Sequence, residues 1–316
     1  MIDSTIHSSL NEVLYLFVVH LTIFRISMKA FKSSCSWCVI LLVTVIFYSP
    51  SAVFGQENIP KILKSSKTTK GSFYVYWGYN RSAYTKSSLR CIGRGYDFTM
   101  KNLNASDNPE RFKPNVYFNP KKVTIPQFNV RVGYFFKDNW SLSLGYDHMK
   151  YVMDNNQLID LYGHIDDGIS DQWSGDYNGE TMRTSNKFIH YENSDGLNYM
   201  RLELARYFEL ASIGENNWLR VNTEVGVSSG FILSFNDFNF GNQYDRKTVS
   251  ISGYGVSLSG GFRLDFFNRF FLQTNFVGGM IHQTKVQTRP NDDYSHAKQV
   301  FGFVSSETVL GFAWKF

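Results

Sequence analysis

A histidine, a serine and a recurring set of charges are the residues of this chain with chemistry to offer. His148 follows Asp147 late in an alternating stretch, 140–153, and Ser194 stands just ahead of another, 196–207. A His next to a Ser is the minimum for a nucleophile activated by a general base. The same His, set among Tyr146, Met149 and Tyr151, equally suits an amphipathic anchor between apolar and aqueous surroundings. The larger set of charges consists of Arg131, Asp147, Arg201, Glu203, Arg220, Glu224, Arg263, Asp265 and Glu307, joined by Asn222, Gln273 and Asn275. Each falls on the polar parity of a period-two stretch, and the two signs nearly balance. Charges drawn away from water are tolerated when they pair and hydrogen-bond. The set therefore reads as a salt-bridge network filling an interior, with a narrow path for ions or protons as the functional alternative.

Other motifs offer less. Gly253, Gly255, Gly260 and Gly261 lack the strand–loop–helix setting of a phosphate loop. Asp166-Asp167 and Asp292-Asp293 lack the spaced oxygen ligands of a calcium loop. The three cysteines are Cys35, Cys38 and Cys91, and none has a zinc-site spacing with His. No metal and no cofactor is expected. The formal charge of +5 is not gathered into one basic face, so nucleic acid is not an expected partner.

The scaffold that must position these groups is a series of strands. Among 316 residues there are 28 Phe, 19 Tyr and 24 Gly, yet the mean hydropathy is only −0.24. That suits strands with one apolar and one polar face rather than apolar helices, which would need runs of about 18 or more apolar residues. Membrane-grade alternation appears at 71–80, 124–136, 140–153, 196–207, 218–230, 249–267, 270–282 and 304–316. In the first of these Phe73, Val75, Trp77 and Tyr79 face one way, and Tyr74, Tyr76 and Gly78 the other. Short polar turns follow at Lys137-Asp138-Asn139, 212–217 and Asn268-Arg269, and long segments at 81–122, 154–195, 233–248 and 284–299. Aromatic residues gather at strand ends, as interfacial girdles do.

The amino-terminal region reads differently. From Met28 a basic start (Lys29, Lys32), an apolar core and small residues up to Gly55 make a secretory signal peptide, with cleavage expected before Gln56. Residues 1–27 read as an upstream segment from a mis-assigned start. Residues 56–70 form a short periplasmic linker, and 71–316 the folded domain.

The final stretch, VSSETVLGFAWKF (304–316), carries the family signal. Thr308, Leu310, Phe312, Trp314 and Phe316 share one face, and the chain ends on an aromatic residue. It resembles the closing strand of the small eight-stranded outer-membrane β-barrels, the OmpA-type transmembrane domain and its relatives. The resemblance implies an all-β, closed antiparallel transmembrane β-barrel of eight strands, ten being possible, with long extracellular loops and hairpin extensions. It implies that Leu310, Phe312, Trp314 and Phe316 form the signal read by the barrel assembly machinery. It also implies outer-membrane localisation, with outer-membrane lipid and lipopolysaccharide as surroundings. Such barrels serve as anchors, adhesins, narrow channels or lipid A-modifying acyl hydrolases and transferases; His148 and Ser194 are the weak candidates for the last. The expected role is structural or surface-interacting, with a plugged lumen and an unknown surface ligand.

The two longest connections carry opposite charge. Residues 81–122 hold nine Lys and Arg against three acids, and residues 154–195 hold nine acids against two basic residues. Attraction between them predicts a compact cap in which 94–103, 158–166 and 187–192 pair as hairpin extensions. Tyr84, Tyr96, Tyr162, Trp173 and Tyr177 are expected to form its contact surface.

Overall fold

The computed structural model describes residues 69–111, 113–117, 126–214, 217–244 and 246–316. The predicted upstream segment, the signal peptide with Cys35 and Cys38, the linker as far as residue 68 and the predicted start of the second strand at Thr124 lie outside the described residues.

Among the described residues thirteen strands and one helical turn follow one another: β1 (Ser72–Tyr84), β2 (Ser87–Gly93), β3 (Tyr96–Leu103), β4 (Ala105–Ser106), α1 (Pro114–Tyr117), β5 (Phe128–Lys137), β6 (Trp140–Met153), β7 (Leu158–Ile165), β8 (Gly175–Arg183), β9 (Ile189–Ile213), β10 (Leu219–Phe240), β11 (Lys247–Phe266), β12 (Phe270–Gln287) and β13 (His296–Lys315). Antiparallel pairing runs β1-β5-β6-β9-β10-β11-β12-β13, and β13 pairs in turn with β1, so a ring passes through eight strands. Among the described residues no helix is long and apolar enough to cross a membrane.

Period-two patterning decides what faces where. On β1, Tyr74, Tyr76, Gly78 and Asn80 are buried inside the ring, while Val75 is exposed outside it. Around the outside, Leu144, Leu202, Val227, Leu258 and Leu310 are more than half exposed. So large a continuous apolar surface would drive association in water and is stable against hydrocarbon.

Inside, bulky rings lie over glycines of neighbouring strands. A Cβ on Gly133 would come within 2.1 Å of Tyr74 Cζ, and one on Gly311 within 2.1 Å of Phe271 Cζ. The register explains this, because Gly133 pairs with Tyr74 and Gly311 with Phe271. The hairpin at 138–139 falls where Lys137-Asp138-Asn139 placed it, with Asn139 at φ 63° taking the left-handed turn position. The next β11–β12 turn is one residue longer than read: Phe267 leaves the strand, at φ 54°, and forms the turn with Asn268 and Arg269.

The strands outrun the predicted spans. β9 has 25 residues and β10 has 22. At about 3.3 Å per residue the longer is roughly 80 Å, against an apolar band about 25 Å tall. Residues 187–192 are therefore not a separate hairpin, since Ile189 pairs with Phe240 in the same ladder that carries Leu204 opposite Val227. The connections after β10 and β12 shrink to 241–246 and 288–295.

A second set of strands leaves the ring from the upper part of β13, in the order β13-β2-β3-β7-β8. β3 and β7 match the predicted strands at 94–103 and 158–166. β2 and β8 were not visible as strands: β8, GDYNGETMR, lacks apolar alternation and is defined by its pairing with β7. One face of this extension packs onto the upper ring in a single apolar core. That core joins Leu89, Phe98, Leu161 and Trp173 to Ile189, Phe238, Ile281 and Phe301. Tyr84, Tyr96 and Trp173, expected as a contact surface, are buried in it instead, at 6%, 8% and 2% exposure. Apolar burial of about 1.5–3 kcal/mol per large side chain outweighs their use at a surface.

Candidate functional site

Five charged side chains from four strands meet in the middle of the ring. Arg131 on β5 donates through Nη1 to Glu203 Oε1, and its Nη2 lies 3.6 Å from Asp147 Oδ1 on β6. Arg201 on β9 has Nε 2.5 Å from Asp147 Oδ2, Nη1 3.3 Å from Glu203 Oε2 and Nη2 3.0 Å from Glu307 Oε1 on β13. All five side chains are 5% exposed or less. The remaining acceptor positions are served by neutral donors. Asn129 Nδ2 donates to Asp147 at 2.7 Å and to Glu307 at 3.2 Å, Asn275 Nδ2 to Glu307 at 3.3 Å, and Ser259 Oγ to Glu203 at 3.3 Å. Buried charges hold only when paired and hydrogen-bonded in this manner.

Local register explains the meeting. Gly145 and Gly230 flank Arg201 on its two neighbouring strands, and Gly145 also faces Arg131, so both guanidiniums have room to lie along the wall. A Cβ on Gly145 would come within 2.8 Å of Arg131 Nε.

A second pair lies nearer the short turns. Arg263 and Asp265, on β11, are 2.8 Å apart, and Asn222 Nδ2 donates to Asp265 at 2.7 Å. The Arg263 guanidinium stacks 3.5 Å from the centroid of Phe271, in an aromatic layer with Tyr74, Tyr76, Phe135 and Tyr207. Two members of the predicted network stand outside these pairs among the described residues. Arg220 faces Asp265 in register but sits half-buried at the start of β10, and Asp265 is already held by Arg263 and Asn222. Glu224 is 1% exposed, with Gly261 and Tyr207 across from it and no arginine in register.

Above the charges lies a polar layer. Gln283 Nε2 donates to Asn193 Oδ1 and to Ser234 Oγ, both at 2.9 Å. Gln299 Nε2 donates to Gln283 Oε1 at 2.6 Å, and Tyr151 and Tyr191 donate their hydroxyls to the two glutamines. Tyr151 and Tyr191 also belong to the apolar core under the extension.

The structure does not bring His148 and Ser194 together. His148 pairs in register with Asn198, its Nδ1 lies 2.7 Å from Asn198 Oδ1, and its ring stacks on Phe128 at 5.3 Å. Ser194 Oγ donates to Glu192 Oε1 at 2.8 Å, and Glu192 Oε2 lies 3.0 Å from His190 Nε2. With the carboxylate in the middle, the serine hydroxyl donates to Glu192 rather than to an imidazole, so no histidine stands next to the hydroxyl. This His190–Glu192–Ser194 row was missed in the sequence, though its signal was there: polar residues at alternate positions on one face. Among the described residues no group of three or more His, Cys, Asp or Glu is placed to hold a metal ion.

A ring of eight antiparallel strands, apolar outside and polar inside, is the architecture of outer-membrane β-barrel proteins. Solved structures similar to this chain are barrels of that kind. OprG from Pseudomonas aeruginosa matches at 11% identity, covering 79% of this chain and 98% of that one, with a TM-score of 0.35. Ail, the attachment invasion locus protein of Yersinia pestis, matches at 10% identity over 78% and 99%, with a TM-score of 0.31. Neisserial surface protein A matches at 10% identity over 78% and 100%, with a TM-score of 0.29. No protein-family model matches the chain, and no curated protein matches its sequence.

Proposed function

We propose that this chain is a closed outer-membrane β-barrel with a plugged lumen, exported by its amino-terminal signal peptide and carrying a compact cap above the membrane. Its role is structural or one of surface interaction. In this reading the short turns at 138–139 and 267–269 face the periplasm, and the β2-β3-β7-β8 extension stands outside. Lipid and lipopolysaccharide surround the apolar band, and the assembly machinery reads Leu310, Phe312, Trp314 and Phe316.

The observation that carries the reading is the series of buried side-chain layers inside the ring. An aromatic layer, the Arg131–Arg201 ion cluster, the Gln283–Gln299 layer and the apolar core are all buried among the described residues, which supports a filled lumen. Eight strands enclose a space that side chains can fill, and here both signs fill it. An ion crossing would have to displace Arg201 from Asp147, Glu203 and Glu307 together.

Planar-bilayer recording tests the plug. The purified protein is expected to show no porin-sized conductance, and Arg201→Ala or Glu203→Ala to admit current. Stable, large conductance from the unmodified protein would overturn the reading.

A further inference from the structure

Three arginines converge at the end of the ring opposite the short turns, and among the described residues two of them face no carboxylate within ion-pair distance. Arg94 lies between β2 and β3, Arg246 just ahead of β11, and Arg289 in the 288–295 connection. With Tyr96, Gln243, Asn291 and Asp292 they line a cleft of about 450 Å³. Arg94 is mostly exposed and 3.6 Å from Asp292, which also accepts the Ser295 hydroxyl at 2.7 Å.

Arg289 is different. It is 7% exposed, its Nη1 is spent on the carbonyl oxygens of Phe238 (2.8 Å) and Thr288 (2.9 Å), and its guanidinium sits 4.8 Å over the Phe238 ring. Burial works against its charged form and holds its pKa below the usual guanidinium value, with the Arg246 charge adding to the effect. A buried cation without a counter-ion is costly, yet the backbone carbonyls fix this one in place. Its Nε and Nη2 donors remain for another partner. Tyr96 adds a second unanswered group: it lines the cleft, is 8% exposed, and its hydroxyl has no hydrogen-bond partner. The cleft therefore gathers three guanidinium groups against the single carboxylate of Asp292, which is engaged by Arg94 and Ser295.

The complement is a compact anion with several acceptor oxygens. Guanidinium groups match phosphate through paired N–H donors. The volume is that of a small-molecule site rather than of a bare ion, and the amides of Gln243 and Asn291 on its wall suit sugar hydroxyls. We propose that this cleft binds a phosphate ester carried on a sugar, with Arg289 and Arg246 gripping the phosphate. The proposal stands on the cleft and is independent of the plugged-lumen reading.

The test is calorimetric titration of the folded, processed protein in detergent with glucose 1-phosphate, inorganic phosphate and glucose. Glucose 1-phosphate is expected to bind, glucose not to bind, and inorganic phosphate to bind more weakly than the ester. Arg289→Gln should weaken glucose 1-phosphate at least tenfold. Arg246→Gln, at an exposed position that leaves the fold intact, should weaken it severalfold and keeps the test decisive if Arg289→Gln fails to fold. Inorganic phosphate binding as tightly as the ester would overturn the sugar half of the proposal. Absence of binding by both phosphates, or binding unchanged in Arg246→Gln, would overturn it entirely.

Discussion

Arg201 and Glu307 meet at 3.0 Å inside the ring, joining β9 to β13 across 106 positions of sequence. Arg201 also holds Asp147 and Glu203, so it is the shared cation of three carboxylates. Removing one partner of a buried pair costs about 3–5 kcal/mol, because the other charge is left uncompensated. Arg201→Met should therefore destabilise by at least that amount, and Glu307→Gln by less, since an amide keeps the acceptor for Arg201. Urea unfolding in lipid vesicles measures both. Equal, small losses for the two variants would show that the cluster contributes little.

Aromatic rings gather where β13 ends beside β1. Phe73 lies 5.9 Å from both Trp314 and Phe316 and 4.6 Å from Tyr134, an aromatic patch across the β1–β13 junction. Phe316 itself lies one residue past the end of β13 and is 96% exposed. Deleting Phe316, or changing both Trp314 and Phe316 to Ser, is expected to abolish the heat-modifiable folded form in outer membranes while export continues. Normal heat-modifiable protein from either variant would count against an assembly signal there.

Cys91 reports on the extension. It is fully buried in the upper core, and burial raises its thiol pKa well above the ordinary value. In a version of the protein that begins at Gln56, and so lacks Cys35 and Cys38, a maleimide should leave Cys91 unlabelled under native conditions and label it in denaturant. Trp173→Ala removes a large buried ring from the same core, at a cost of about 3–5 kcal/mol, and should expose Cys91 while the ring of strands stays folded. Rapid labelling of the unmodified native protein would mean that the extension is not packed down.

His164 ties β7 to β8 through charge. Its Nδ1 lies 2.6 Å from Asp176 and its Nε2 2.8 Å from Asp166, and these two carboxylates raise its pKa above 6.5. A raised value in the fold means that the contact contributes fully below the unfolded pKa and is lost as pH rises through the folded one. The His164 ring resonance should titrate with a midpoint above 6.5, and Asp176→Asn should lower that midpoint. A midpoint at or below 6.5 in the unmodified protein would show that the pair does not form.

The outward half of the ring was legible because an apolar exterior over a polar interior enforces strict alternation. Val75, Val132, Leu144, Leu202 and Leu258 had to alternate with interior residues, and a single shift in parity would have been visible. The members of the ion cluster were legible by the same parity, though not their pairings, which depend on register between distant strands. Higher up, outward positions such as Glu192 and Asp237 are polar, so β9 and β10 look like loops although their ladder continues. The aromatic residues of the extension were misread for a related reason. Tyr96 and Trp173 stand in polar sequence, and what buries them, Phe240 and Phe98 among others, lies far away in the chain.

The last strand is partner to the first two. β13 pairs with β1 along Phe303–Lys315 and with β2 along His296–Val300. Until those residues are delivered, β1 and β2 each keep an open edge, and such edges invite pairing with other chains. Contacts this distant in sequence also form slowly, after the entropy of closing the intervening chain has been overcome. The polypeptide must therefore be kept from committing to structure over nearly its whole length. A copy truncated ahead of His296 would have no smaller barrel to fall back on, only the open edges of β1, β2 and β12 for quality control to recognise.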